Sequence, residues 1–298
     1  MALETIFDYL AVHLRERPDA PVYLHDGGAL PFRDFQHKGA KLGGALKSFG
    51  IAPGDRVAMV MQDSPELAVS LLAIMGIGGI AVPCNTALSQ TDLTHVLSQS
   101  GARVVIISAE HVETLGLIRA HVPNVETVIT TSEKKPAGFL SFAEFLDAGK
   151  PAALGAKEGP AFLVYTSGST GRPKGALHYH SDIPFIIEAI GRKVYEITPV
   201  DRLFSASRMP FAYGFGNSFA FPIGFGAPCI LLSERPTPAG IAQVFEEYRP
   251  TVFFGVPAVF RGILEYRRQG GSFEPGDLKF SAAGGENLRR RPSTNGLS

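Results

Sequence analysis

The segment from residue 164 to residue 175 reads VYTSGSTGRPKG and combines hydroxyl side chains, glycines and one lysine. Hydroxyl groups can donate hydrogen bonds to anionic oxygens, and glycines let backbone N–H groups approach a ligand closely. The hydroxyl-bearing residues are Thr166, Ser167, Ser169 and Thr170, and the glycines are Gly168, Gly171 and Gly175. Lys174 adds a full positive charge. This combination predicts a loop that binds phosphate.

The flanking residues predict where this loop lies. Residues 161–165 (AFLVY) are apolar and β-prone, which favours a buried strand, and the chain from Tyr179 onward is expected to be helical. The loop would therefore follow the carboxyl end of a strand. Open α/β sheets bind their ligands at that end.

Two alternative interpretations of the loop fit its sequence less well. A Walker P-loop needs a glycine, four residues and then Gly-Lys followed by Ser or Thr. Here Gly168 and Gly171 lie too close together, and Lys174 is preceded by proline and followed by Gly175. A flexible linker would not normally contain the fixed Arg-Pro-Lys turn of residues 172–174.

The order of hydroxyls and glycines in this loop closely resembles the phosphate-binding signature of the adenylate-forming, AMP-binding superfamily. The resemblance extends over nearly the whole chain. Segments that resemble the N-terminal subdomain of that family are residues 14–20, 41–60, 64–82 and 101–107. Segments that resemble its benzoate-CoA ligase branch are residues 211–217 (FAYGFGN), 234–237 (ERPT) and 249–257 (RPTVFFGVP).

This resemblance implies ATP-dependent, AMP-forming activation of an aromatic carboxylic acid to its CoA thioester through an acyl-adenylate. The implied cofactors are ATP, Mg²⁺ and coenzyme A, and the implied substrate is a small aromatic acid. Thr166 and Lys174 are the implied catalytic residues, and the loop between them would hold the phosphates of ATP. Residues 281–286 (SAAGGE) resemble, with one extra small residue, the turn that borders the adenine in the family. The implied ATP contacts there are Gly284, Gly285 and Glu286.

The acid pocket of the family corresponds to four residues here, namely Phe211, Ala212, Tyr213 and Gly214. Aromatic walls beside a small alanine suit a flat ring. Ordinary core packing is the alternative, because phenylalanine occurs 21 times in the chain.

The family continues beyond this region with a hinge and a C-terminal lid domain that carries its catalytic lysine. Nothing in this sequence corresponds to them, and residues 288–298 (LRRRPSTNGLS) have no helical or strand periodicity. We therefore expect an incomplete ligase with an aberrant tail. The alternative function is a truncated, non-catalytic fragment that retains only a nucleotide or acid site.

Strand-like and helix-like segments alternate along the chain, which predicts an α/β fold with two doubly wound, mainly parallel subdomains, incomplete at the C-terminus. Residues 151–159 (PAALGAKEG) are rich in small residues and turn formers and mark the best boundary. The predicted first subdomain is residues 1–158, the second is residues 159–287, and the tail is residues 288–298.

Composition excludes several classes of function. The 28 basic and 28 acidic residues balance, which argues against nucleic-acid binding driven by net charge. The N-terminus predicts a surface helix and no signal peptide, and the apolar stretch of residues 67–82 is too short to span a bilayer, so no membrane partner is expected. Cys84 and Cys229 lack metal-ligand spacing, which favours packing roles and a cytoplasmic location.

Two further patterns favour structural roles. Residues 76–81 (GIGGIA) match a dinucleotide-binding pattern, but they close a helix and lead into a strand, which is the wrong order. His178 and His180 have no third ligand at a suitable spacing, so the sequence predicts no metal site there. Packing and polar contacts near the nucleotide are the expected roles of these histidines.

Overall fold

The computed structural model describes residues 3–26, 28–167 and 171–285, and these residues build two mainly parallel sheets with helices packed on them. The strands are β1 (Pro21–His25), β2 (Gly28–Pro31), β3 (Arg56–Val60), β4 (Ile80–Pro83), β5 (Val104–Ile107), β6 (Thr127–Thr130), β7 (Leu140–Ser141), β8 (Pro160–Ser167), β9 (Pro173–Tyr179), β10 (Leu203–Ser205), β11 (Cys229–Ile230), β12 (Val252–Gly255) and β13 (Phe280–Ala283).

The helices alternate with these strands as the sequence predicted. They are α1 (Ile6–Glu16), α2 (Phe32–Ser48), α3 (Pro65–Gly76), α4 (Gln90–Ser100), α5 (Val112–Ile118), α6 (Phe142–Ala148), α7 (Asp182–Ile186), α8 (Ala212–Phe215), α9 (Phe221–Phe225), α10 (Pro238–Tyr248) and α11 (Pro257–Arg268). Helix α7 continues as a π-helix over Ile187–Arg192, and a second π-helix, Gly216–Ala220, joins α8 to α9.

The larger sheet has seven strands in the order β7-β6-β5-β3-β4-β8-β9. Every neighbouring pair is parallel except β8 and β9, which form an antiparallel hairpin. The four residues of β4 and the four of β5 are all buried, as expected for parallel strands that are covered by helices on both faces.

The smaller sheet has six strands in the order β13-β12-β10-β11-β1-β2. Its first five strands are parallel to one another, and β2 pairs antiparallel with β1 at the edge. The mainly parallel, doubly wound fold predicted from the sequence is confirmed.

Helix α3 is the buried centre of the larger subdomain. Ser64 caps it, because its side-chain oxygen accepts the N–H of Leu67 at 3.2 Å, and loss of such a cap costs about 1 kcal/mol. Helix α2 approaches α3 closely through Gly39 and Gly43. A Cβ atom added at Gly39 would lie 2.9 Å from the side chain of Leu72. The absence of a side chain at Gly39 therefore leaves the space that Leu72 of α3 occupies.

The predicted organisation needs one correction. The strand expected at residues 161–165 to begin the second subdomain lies in β8 and joins the larger sheet, whereas β1 and β2 join the smaller one. The predicted boundary at residues 151–159 also packs into the fold, because Leu154 lies against Gly39, Gly43 and Gly76. Composition identified the loop, but the partly buried Leu154 packs it against α2 and α3.

The glycine-rich residues 76–81 have the predicted structural role. Helix α3 ends at Gly76, Gly78 takes a φ of +84°, and β4 begins at Ile80. Across the described ranges, no helix is both long enough and apolar enough to cross a membrane. Cys84 and Cys229 are buried free thiols, and burial raises the pKa of each to about 12.

Candidate functional site

The β8–β9 hairpin presents the predicted phosphate-binding residues at its tip. Thr166 lies directly opposite Lys174 in the antiparallel register, and both residues are exposed. Ser167 ends β8 opposite Pro173. Gly168, Ser169 and Thr170 lie outside the described residues. The tip stands at the carboxyl end of β8, which runs parallel to β4, as the sequence predicted.

The chain does not pass directly from this loop into a helix. Residues 173–179 form β9, and helix α7 begins only at Asp182. Strand β9 is hard to predict from local sequence, because Pro173, Lys174 and Gly175 are all poor strand formers. They are tolerated because β9 is the edge strand of its sheet.

Two of the predicted loop glycines have distinguishable roles. Gly171 takes a φ of +85°, a left-handed conformation that favours glycine. A Cβ atom at Gly175 would lie 2.9 Å from the Leu163 side chain and 3.3 Å from the Tyr165 ring. Gly175 therefore allows close packing across the hairpin. The sequence predicts a different role for this glycine, which is to let backbone N–H groups approach a ligand.

The base of the hairpin packs on α8 through a stack of three rings. The ring of Phe162 lies 4.7 Å from that of His178 and 4.2 Å from that of Phe215, nearly parallel to both. Nδ1 of His178 lies 3.2 Å from a carboxylate oxygen of Asp182. This stack fixes the hairpin relative to the predicted acid pocket.

The predicted acid-pocket residues lie at the N-terminus of helix α8. Phe211 is the N-cap and is partly exposed, Ala212 is exposed, and Tyr213 is half-buried. A Cβ atom at Gly214 would lie 1.9 Å from the carbonyl oxygen of Arg208, so only glycine fits there. Gly214 thus shapes the backbone of the pocket without a side chain.

Tyr213 joins this helix to the end of β13. Its hydroxyl donates a hydrogen bond to the carbonyl oxygen of Ala282 at 3.0 Å. Burial raises the pKa of Tyr213, so the hydroxyl keeps its proton and remains a donor. A Cβ atom at Gly284 would lie 2.9 Å from the Tyr213 ring. The structure therefore brings the predicted acid-pocket and adenine-turn segments into contact.

The first glycine of the predicted adenine turn, Gly284, is held by the neighbouring strand. The N–H of Gly284 donates to the carbonyl oxygen of Gly255 at 3.1 Å, and Gly285 takes a φ of +85°. Glu286 lies outside the described residues. The turn follows the carboxyl end of β13, as the hairpin tip follows that of β8.

Asp63 is a residue of this region that the sequence analysis missed. It lies just beyond β3, is 4% exposed, and accepts the N–H of Met209 with its two oxygens at 3.1 and 3.3 Å. Burial raises the pKa of Asp63 to about 6, although Arg208 and the Met209 N–H act in the opposite direction. Its position directly after an apolar strand is the signal that could have identified it.

The two histidines that follow the loop, His178 and His180, make packing contacts. Within residues 3–26, 28–167 and 171–285, no cluster of three or more His, Cys, Asp or Glu side chains could hold a metal ion. His180 is 1% exposed and lies against Phe7, with ring centroids 6.1 Å apart. Burial lowers the pKa of His180, which keeps it neutral. Burial against Phe7 gives His180 a packing role.

The two mainly parallel sheets, with loops at the carboxyl ends of their strands, define an α/β domain. The chain belongs to the AMP-binding enzyme family, which matches residues 10–293. It is 32% identical over 255 residues to benzoate–CoA ligase from Thauera aromatica, covering 84% of this chain and 48% of that protein. The chain thus spans about half the length of this curated relative.

Two solved structures are similar to this chain in fold. The anthranilate CoA ligase AuaEII in complex with anthranoyl-AMP superposes with a TM-score of 0.90 at 27% identity, covering 97% of this chain and 56% of that one. The N-terminal domain of FACL13 from Mycobacterium tuberculosis shares the fold, with a TM-score of 0.85 at 23% identity. That match covers 96% of this chain and 71% of the FACL13 domain.

Proposed function

We propose that this chain binds ATP and an aromatic carboxylic acid for AMP-forming activation of the acid to its CoA thioester. The observation that carries the proposal is the contact between Tyr213 and the end of β13. This contact joins the start of α8, which is the predicted acid pocket, to the glycine turn after β13, which is the predicted adenine turn. An acid and a nucleotide bound at these two segments would therefore lie side by side.

The hairpin tip suits the phosphates of ATP. Thr166 supplies a hydroxyl donor and Lys174 a positive charge from facing positions on two strands. Mg²⁺ usually keeps several waters and binds through substrate phosphates and one or two carboxylates, so it does not require a dedicated protein cage. The residues described here therefore fit a metal that arrives with the nucleotide.

The pocket composition favours an aromatic acid. Phe211 and Tyr213 can provide flat apolar walls, and the small Ala212 leaves space between them. The relatives support this class of substrate, since one is named a benzoate–CoA ligase and another was solved with anthranoyl-AMP.

In the proposed reaction, a carboxylate oxygen of the acid attacks the α-phosphorus of ATP and pyrophosphate leaves. The thiol of coenzyme A then attacks the carbonyl carbon of the mixed anhydride, loses its proton and releases AMP. No protein nucleophile is needed, so catalysis depends on positioning and charge neutralisation. Thr166 and Lys174 would hold the departing phosphates, and Tyr213 would orient the ring of the acid.

A second candidate is binding of ATP and an aromatic acid without turnover. Calorimetric titration with ATP and Mg²⁺, and separately with benzoate, tests the binding that both candidates share. Incubation with benzoate, ATP, Mg²⁺ and coenzyme A, followed by chromatography, separates them. Formation of benzoyl-CoA would support the first candidate, binding without benzoyl-CoA would support the second, and absence of binding would contradict both.

A further inference from the structure

The turn that leads from β10 into α8 is held by a residue that follows a strand of the larger sheet. Asp63 lies beyond β3, and its two carboxylate oxygens lie 3.1 and 3.3 Å from the Met209 nitrogen, whose N–H they accept. Met209 is fully buried, two residues before Phe211, the N-cap of α8. Asp63 therefore connects the larger sheet to the predicted acid-pocket segment, which follows a strand of the smaller sheet.

Asp63 stands on a rigid support. It directly precedes Ser64, which caps helix α3 by accepting the N–H of Leu67. Residues 67–76 of α3 are all buried. Because protein interiors are close-packed, such a helix cannot shift without disturbing the core. Asp63 therefore offers the Met209 N–H a fixed partner.

The turn carries this fixed position into the predicted pocket. The carbonyl oxygen of Arg208, one residue before Met209, accepts the N–H of Phe211 at 3.0 Å. A Cβ atom at Gly214 would lie 1.9 Å from the same oxygen, so α8 packs directly on the turn. The Arg208 guanidinium also donates to the carbonyl oxygen of Ser233, after β11, at 3.2 and 3.3 Å. A movement of Met209 would therefore displace the start of α8.

We propose that Asp63 is a positioning residue for the acid, because its carboxylate holds the turn at Met209 and thereby fixes the first turn of α8 around the bound ring. This inference rests on the proposed function, since it requires that the acid binds at the start of α8. Asp63 acts through the backbone of the turn, without contact to the acid. Binding groups that are displaced by about 1 Å lose much of their effect, so one backbone anchor can decide affinity.

Asp201 provides a matched control for a purely structural role. It is 1% exposed, and its carboxylate accepts the N–H of Thr198 at 2.8 Å and the hydroxyl of Thr251 at 2.8 Å. It precedes β10, at the opposite end of that strand from the turn. Replacing Asp201 therefore removes a similar buried carboxylate but leaves the anchor of α8 in place.

Calorimetric titration of the full chain with benzoate, and separately with ATP and Mg²⁺, tests the proposal. Asp63→Ala removes the acceptor and should weaken benzoate binding by about tenfold or more. Asp63→Asn keeps an acceptor oxygen, and it should restore the benzoate affinity to within about threefold of the parent, as should the control Asp201→Ala. ATP affinity should change by less than about threefold in every variant, because the hairpin tip lies on β8 and β9, outside the turn.

Hydrogen exchange without ligand is a second measurement. The amides of Met209 and Phe211 should exchange about tenfold or more faster in Asp63→Ala, relative to the amides of β5. They should keep their relative rates in Asp63→Asn and Asp201→Ala. If Asp63→Ala does not fold, Asp63→Ser, whose shorter side chain cannot reach the Met209 N–H, provides both measurements.

The outcomes separate this inference from the function on which it rests. Equal benzoate affinity of the parent and Asp63→Ala, failure of Asp63→Asn to restore that affinity, or an equal loss in Asp201→Ala would each overturn the positioning role alone. A parent chain that binds no benzoate would instead contradict the proposed function, and this inference with it.

Discussion

The ring of Tyr213 lies directly against Gly284, where a Cβ atom would approach its carbons to 2.9 Å. The Tyr213 hydroxyl also donates to the carbonyl oxygen of Ala282, two residues earlier. One side chain of the predicted acid pocket thus fixes the position of the predicted adenine turn. The two segments can be perturbed together by changing either residue.

We expect Gly284→Ala to destabilise the fold by about 1–3 kcal/mol, because the new methyl group would overpack against the Tyr213 ring. Tyr213→Phe is the matched control. It keeps the ring but removes the hydrogen bond, which costs about 1 kcal/mol. Urea unfolding measures both values. A Gly284→Ala variant as stable as the parent would contradict the close contact.

The hairpin tip should contribute to nucleotide binding and little to stability. We expect Thr166→Ala with Lys174→Ala to weaken binding of ATP and Mg²⁺ by about tenfold or more, because a charge-assisted contact is lost. Unfolding free energy should change by less than about 0.5 kcal/mol, since both residues are exposed. Lys134→Ala, at another exposed lysine, is the control. Calorimetry showing unchanged affinity would remove the phosphate assignment.

Asp63 should make stability depend on pH. Its pKa is raised from 3.8 to about 6 in the folded chain, so the folded state binds more protons than the unfolded state between these values. Stability from this group should therefore fall as pH rises from about 4 to 6, by at most about 3 kcal/mol.

The variant Asp63→Asn keeps an oxygen that can accept the Met209 N–H but cannot titrate. Urea unfolding from pH 4 to 7 should show a smaller fall for Asp63→Asn than for the parent chain. Asp63→Leu removes the acceptor and should destabilise the fold at every pH. Identical pH profiles for the parent and Asp63→Asn would contradict the raised pKa.

His180 should have the opposite pH dependence. Both of its ring nitrogens are buried and have no hydrogen-bond partner in the described part of the chain, and burial lowers its pKa. The folded state therefore resists protonation, so stability is lost as pH falls below about 6.5. His180→Leu should reduce this loss and stabilise the chain at neutral pH by about 1–3 kcal/mol. Denaturation at pH 5 and 7.5 measures the difference, and greater destabilisation of His180→Leu at pH 5 would contradict it.

Local sequence patterns predicted individual elements well because those patterns depend on neighbours along the chain. The strand expected at residues 161–165 lies within β8, and residues 76–81 close a helix and lead into a strand as predicted. Sheet membership was predicted less well, since β8 pairs with β4 across 80 residues of chain, at Ala81 and Phe162. No local pattern records such a pairing.

In the candidate site too, local sequence patterns do not predict contacts between distant segments. The phosphate-binding and acid-pocket assignments are predictions from residue types within single segments, whereas nothing local links Asp63 to Met209, which lie 146 positions apart. The close approach of Tyr213 to Gly284 depends likewise on the pairing of β12 with β13. Residue types can therefore suggest the chemistry of one segment, but they do not show which distant segments come into contact.

The exposed position of Ala212 between Phe211 and Tyr213 provides a test of substrate class. If these residues form a slot for a flat ring, saturating benzoate should raise the melting temperature, because a ligand that binds only the folded state stabilises it. A medium-chain fatty acid should have no such effect. Ala212→Phe should abolish the benzoate shift by filling the slot, and Ala212→Gly should preserve it. Thermal unfolding with each acid measures these shifts, and a larger shift with the fatty acid would overturn the preference for aromatic acids.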